Sequence, residues 1–202
     1  MRFNMPHLAS PVLVKRAGGI VLATVLASQL SACFPLVVAG AGAGVVSVQD
    51  RRPTAVQWND ERIDHRVSNN IESRFGSLTH VNAYSYNHRV LLTGEVPDDA
   101  TRASVEKIAR ETEDVKEVYN ELAVMLPSSL SSRTSDSGLQ AKIKGVLIDT
   151  KGTSPVNVKV TVERGAVYLM GQVSRSEGKI AADAISKVSG VEKVGTYFEY
   201  LD

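Results

Sequence analysis

The chain has 202 residues, 43% hydrophobic, 22% charged and 5% aromatic, with a formal net charge of +1. This is ordinary globular material, enough for one large domain or two small ones. Near-zero charge and few aromatics argue against a nucleic-acid partner, and a single cysteine excludes a disulfide framework.

The first element is a leader. Arg2, Lys15 and Arg16 form a basic stretch, residues 18–26 (GGIVLATVL) a short apolar run, and small or polar residues lead to Leu30-Ser31-Ala32-Cys33. That order is a secretory signal peptide over residues 1–32, with an apolar run too short to span a bilayer. The L-S-A-C string resembles a bacterial lipobox, in which the thiol is diacylated, the leader removed and Cys33 becomes the first residue. The plain alternative is a small buried hydrophobe. A catalytic thiol would need histidine and Asn/Asp partners, and no such pattern accompanies Cys33. Residues 33–58 then read as a lipidated cysteine and a flexible tether, uncharged and Gly/Ala-rich at its start. Several acyl chains on one cysteine make a stable anchor where a single chain would not. Phe34 follows the cysteine. By analogy with enterobacterial sorting, where an aspartate there retains lipoproteins at the inner membrane, this favours the outer membrane, facing the periplasm.

After the tether the chain repeats itself. HVNAYSYNHRVLLTGEV (80–96) and NVKVTVERGAVYLMGQV (157–173) share valine, leucine or glycine at Val81/Val158, Val90/Val167, Leu92/Leu169, Gly94/Gly171 and Val96/Val173. Such a repeat is read before anything else.

In chain order, Ile63, Val67 and Ile71 recur at helical spacing. Alternating residues in 80–96 then predict a hairpin turning at Asn87-His88, with one buried and one wet face. A helix from Asp98 to about Glu113 follows, then a strand carrying Val118, Leu122 and Val124. Residues 127–137 (PSSLSSRTSDS) read as a serine-rich flexible linker. The second copy begins with a helix bearing Leu139, Ile143 and Leu147. Its hairpin turns at Glu163-Arg164-Gly165-Ala166. A capping-box pair, Ser174 and Glu177, opens the next helix, and Val194, Phe198 and Tyr200 lie on a last strand. The fold class is therefore α+β: two α-β-β-α-β units over residues 59–126 and 138–202, each a three-stranded mixed sheet with two helices on one face and each able to fold alone. Gly94 and Gly171 read as sites of close helix-on-sheet packing or a strand kink, with close approach of a ligand as the alternative.

Two such units, each with a V-x-L-x-G-x-V strand (Val90, Leu92, Gly94, Val96; Val167, Leu169, Gly171, Val173) and a V-x-x-V ending (Val115, Val118; Val191, Val194), resemble tandem BON domains. With the lipobox, residues 30–202 are similar to dual-BON outer-membrane lipoproteins of Gram-negative bacteria. The resemblance implies a non-enzymatic, periplasm-facing role in envelope integrity, with anionic phospholipid as the ligand of such domains.

The residues themselves suggest no enzyme. His7, His65, His80 and His88 form no metal or triad motif, and no phosphate-cradling loop occurs, so no cofactor, metal or catalytic site is expected. Asp98-Asp99 reads as a helix cap. Charge is divided: residues 59–126 carry net −5 and residues 137–202 net +2, with seven lysines among nine basic side chains. The sharpest binding hypothesis is therefore the helix LQAKIKGVLIDTKG, where Lys142, Lys144 and Lys151 flank Leu139, Ile143 and Leu147 and could meet anionic headgroups. The plain alternative is that these lysines only solubilise a small domain. A second class of function is a scaffold that docks a periplasmic protein partner, outer-membrane assembly or division machinery, through the acidic first unit. Trp58 is either a staple or an exposed contact.

Overall fold

The computed structural model describes residues 50–202. The leader, Cys33 and most of the tether lie outside them. The first module runs α1 (Thr54–Phe75), β1 (His80–Tyr86), β2 (Arg89–Val96), α2 (Asp99–Glu111) and β3 (Glu117–Val124). The second runs α3 (Leu130–Asp149), β4 (Val158–Glu163), β5 (Ala166–Val173), α4 (Arg175–Ile185) and β6 (Lys193–Tyr200). Each sheet has its second strand in the centre, antiparallel to the first and parallel to the third. The parallel pairs need crossovers, which α2 and α4 provide. Asp98 caps α2 by accepting from Thr101 N, and Ser174 and Glu177 form the expected capping box on α4.

The helices of each module cover one sheet face. Ile63, Val67 and Ile71 of α1 with Val105 and Ala109 of α2 pack on Val90, Leu92 and Val96. Ile143 and Leu147 of α3 with Ala181 and Ile185 of α4 pack on Val167, Leu169 and Val173. Burying each such Val, Leu or Ile contributes about 1.5–3 kcal/mol.

Three expectations change. First, the opposite sheet faces are not wet. Tyr86, Leu91, Tyr168 and Met170 form a third buried cluster, flanked by Tyr84, Tyr119 and Tyr197, so the sheets of the two modules face each other. The two modules belong to one compact unit. Second, the serine-rich stretch 127–137 is helical from Leu130 onward. Ser129 caps the helix by accepting from Ser132 N. Thr134, Ser135 and Ser137 turn their hydroxyls back to the carbonyls four residues earlier, which lets these residues sit in a helix. Third, the repeated glycines face backbone rather than a helix. A Cβ on Gly94 would lie 2.0 Å from the His80 carbonyl oxygen, and one on Gly171 2.2 Å from that of Asn157.

Both hairpins use two-residue turns with positive φ throughout: 51° and 67° at Asn87 and His88, 49° and 71° at Arg164 and Gly165. This is the turn geometry whose twist suits paired strands. Three of these four residues are not glycine, and a buried aspartate from the preceding helix compensates in each copy. Asp60 accepts from Asn87 N and His88 N at 2.8 Å. Asp136 accepts from Arg164 N and Gly165 N at 2.8 and 3.0 Å.

Candidate functional site

The six residues singled out from sequence, five on α3 and Lys151 just past its end, separate. Ile143 and Leu147 are buried in the second module's core, and Leu139 packs at its margin. Ile143 and Leu147 hold the helix to its sheet, while half-buried Leu139 also faces the open surface beside Lys142. Lys142, Lys144 and Lys151 are exposed. Lys142 Nζ donates to the Ser189 carbonyl at 3.1 Å, and no ion pair engages Lys144 or Lys151 among the described residues. The helix face that does meet solvent carries Ala141, Lys144, Gly145 and Ile148, and Ile148 is 69% exposed. Helical spacing sets this apolar side chain one turn from Lys144, and Lys151 follows three residues later. Beside Lys142 lies an open cleft of about 750 Å³, whose lining includes Ser135, Gly138, Leu139, Arg164 and Gly190. Trp58 is 71% exposed on α1, so it is a surface residue.

The charge division has an intramolecular component. Lys159 Nζ reaches Asp64 at 3.1 Å, Lys193 reaches Glu121 at 3.2 Å, and Arg164 reaches Glu95 at 2.6 Å. Each is a base of the second module on an acid of the first. Asn87 and Glu199 add a contact of 2.6 Å in the other direction. Burial pushes the Asp64 carboxyl up, and Lys159 partly offsets this. Burial and the hydrogen bond to Glu121 raise the Tyr197 hydroxyl well above its ordinary range.

The chain enters the first module along this seam. Arg51 holds Glu177 of α4 through two contacts of 2.8 Å and donates to the Gln172 carbonyl, while its backbone N–H reaches Asn157. The Arg51 guanidinium lowers the Glu177 carboxyl to about 2. Arg52 pairs with Asp50 and with Asp60, and its guanidinium lies 3.8 Å from the Tyr86 ring centre. Sequence reasoning missed both arginines, because their partners are distant in the chain.

A further grouping also escaped it. His80, Glu95 and Glu163 each present a potential ligand atom, all within 4.8 Å of one another. His80 Nδ1 lies 2.9 Å from Glu95 Oε2 and 3.9 Å from Glu163 Oε1. Burial raises the Glu163 carboxyl. Glu95 feels burial too, but the Ser128 N–H, His80 and Arg164 outweigh it and leave that carboxyl below its usual value.

These features define a class: two small α/β modules joined sheet to sheet, with exposed basic helix positions and no catalytic motif in the sequence. The BON domain family matches residues 59–125 and 135–201, and the chain belongs to that family as a tandem BON-domain protein. It is 37% identical to the outer membrane lipoprotein DolP of Haemophilus influenzae, over 86% of this chain and 91% of that protein. It is 30% identical to a 21 kDa hemolysin of Actinobacillus pleuropneumoniae, over 75% of this chain and 79% of that one. A solved structure of CdsD, a structural protein of the type III secretion system of Chlamydia trachomatis, aligns with 68% of this chain and 91% of its own. At 12% identity and a TM-score of 0.30, that alignment carries no weight.

Proposed function

We propose that this chain is a non-enzymatic lipoprotein, anchored through acylated Cys33 in the outer membrane and facing the periplasm, which binds anionic phospholipid and supports envelope integrity. The observation that carries the reading is the likeness to DolP over most of both chains, joined to the L-S-A-C string that ends the leader. The lipid contact is assigned to the outward face of α3 and its C-terminal end: Lys144 and Lys151 with Ile148 between them, and Lys142 at the edge of the adjoining cleft. Ile148 takes over the apolar role first given to Ile143 and Leu147, and Leu139 keeps its own at the cleft.

Each basic residue near an anionic surface contributes about 1 kcal/mol. Replacing Lys142, Lys144 and Lys151 by glutamate therefore removes at least about 3 kcal/mol, roughly a 150-fold loss of affinity. The assay is flotation of the chain without residues 1–33, which carries neither the leader nor the acylated cysteine, with phosphatidylglycerol vesicles, and with phosphatidylcholine vesicles as the neutral comparison. Binding should weaken as salt shortens the Debye length to about 8 Å near physiological ionic strength. The set Arg62→Glu, Arg66→Glu and Arg74→Glu on α1 should have little effect. Equal losses from both sets would mean a nonspecific charge effect. Full binding by a folded α3 variant would remove this helix as the lipid site and favour a protein partner. For that second reading the exposed run Val124, Met125, Leu126 and Leu130 is the apolar surface at hand.

A further inference from the structure

We propose that His80, Glu95 and Glu163 form a zinc site that clamps the two modules together. His80 and Glu95 come from β1 and β2 of the first module and Glu163 from β4 of the second, so an ion here would bridge the seam.

The arrangement is that of a prepared ligand set. Each carboxylate gives one oxygen to a dedicated donor: Glu95 Oε1 accepts from Arg164 Nη1 at 2.6 Å, and Glu163 Oε2 accepts from Asn82 Nδ2 at 3.1 Å. The other two oxygens, Glu95 Oε2 and Glu163 Oε1, are the ones that approach His80 Nδ1, with the Ser128 N–H also reaching Glu95 Oε2 at 3.1 Å. Outer partners of this kind fix the orientation of metal-binding carboxylates. Neighbouring ligands of a tetrahedral ion with bonds near 2.0–2.1 Å lie about 3.4 Å apart. The two separations from His80 Nδ1, 2.9 and 3.9 Å, bracket that value, and all three ligand atoms lie within 4.8 Å of one another, so closing on an ion needs a side-chain adjustment of about 1 Å. Glu95 and Glu163 are almost wholly buried, and a cleft of about 210 Å³ lined by His80, Asn82 and Glu163 gives an ion entry and room for a water as fourth ligand. One imidazole nitrogen with two carboxylates suits zinc, whereas magnesium and calcium require oxygen-only shells with more ligands.

The test uses the full chain in mild detergent with Cys33→Ser, so that no free thiol competes. Titration of zinc against a chromophoric chelator should give one equivalent bound per chain, and cobalt should give the visible absorption of a four-coordinate site. Glu163→Gln keeps the side-chain shape and should weaken zinc at least about tenfold, as should His80→Gln. Asn82→Ala should cost about 10–100-fold through the outer partner. His65→Ala, at an exposed histidine on α1, should change nothing. Thermal melts confirm that each variant is folded; if His80→Gln is not, Glu163→Gln decides. Equal zinc affinity in Glu163→Gln and its parent would overturn the proposal, as would the absence of saturable binding or equally tight binding of magnesium. In each of those cases the cluster is an ion-pair network only.

Discussion

Leu91 and Leu92 are adjacent on β2, both fully buried, and lie on opposite sheet faces. If each module had one wet face, Leu92→Ala would be costly and Leu91→Ala would change stability by no more than about 0.5 kcal/mol. The structure puts Leu91 against Tyr86, Tyr168 and Met170, between the modules. Leu91→Ala then loses the transfer energy of the removed carbons and leaves a cavity shared by two sheets, for a cost of about 2–5 kcal/mol. Leu92→Ala falls in the same range. For a compact unit of this size, each kcal/mol moves the melting temperature by about 2–4 °C, so the expected drop is about 4–20 °C for either variant. Calorimetry or circular dichroism on the Cys33→Ala chain reads it. A drop for Leu92→Ala with none for Leu91→Ala would refute the packed seam. So would two separate thermal transitions in the parent, with only the first module's shifted by Leu91→Ala.

Two other outcomes follow from local geometry. Gly171→Ala should destabilise by about 1–3 kcal/mol because the new carbon meets the Asn157 carbonyl, whereas Gly145→Ala on α3 meets nothing within 4 Å and should stabilise by up to about 1 kcal/mol; urea denaturation separates the signs. The Glu177 carboxyl is depressed to about 2 from 4.5, so its contribution is fully present above about pH 4.5 and disappears as pH falls toward 2. Melts across that window should fall less steeply for Arg51→Ala than for the parent, and identical slopes would count against the Arg51–Glu177 clasp.

The helices were legible because Ile63, Val67 and Ile71, and again Ile143 and Leu147, carry a period that only one buried face explains. The hairpins were legible from alternation and from turn residues that tolerate positive φ. The seam left a signal that alternation alone hid: Val90-Leu91-Leu92 and Val167-Tyr168-Leu169-Met170 are unbroken apolar runs, the mark of strands covered on both faces. The helical start of α3 was masked by composition, since serine and threonine disfavour helix interiors unless their hydroxyls bond back to the helix, as Thr134, Ser135 and Ser137 do. The paired aspartates were within reach, because Asp60 and Asp136 stand 76 residues apart, close to the offset of 77 between the hairpins. The cluster of His80, Glu95 and Glu163 was not, since only the facing of two sheets brings Glu163 to the other two. The candidate lipid face was half legible: spacing placed the lysines, but it could not say that Ile143 and Leu147 point inward while Ile148 points out.

The double arginine at the start of the described chain has a mechanical consequence. Arg51 grips the second module at Glu177, and Arg52 grips the first at Asp60. A pull arriving from the N-terminal side therefore meets the second module at Arg51 before it reaches α1 through Arg52 and Asp60. Removing Arg51 would turn the same load into a lever on the first module alone.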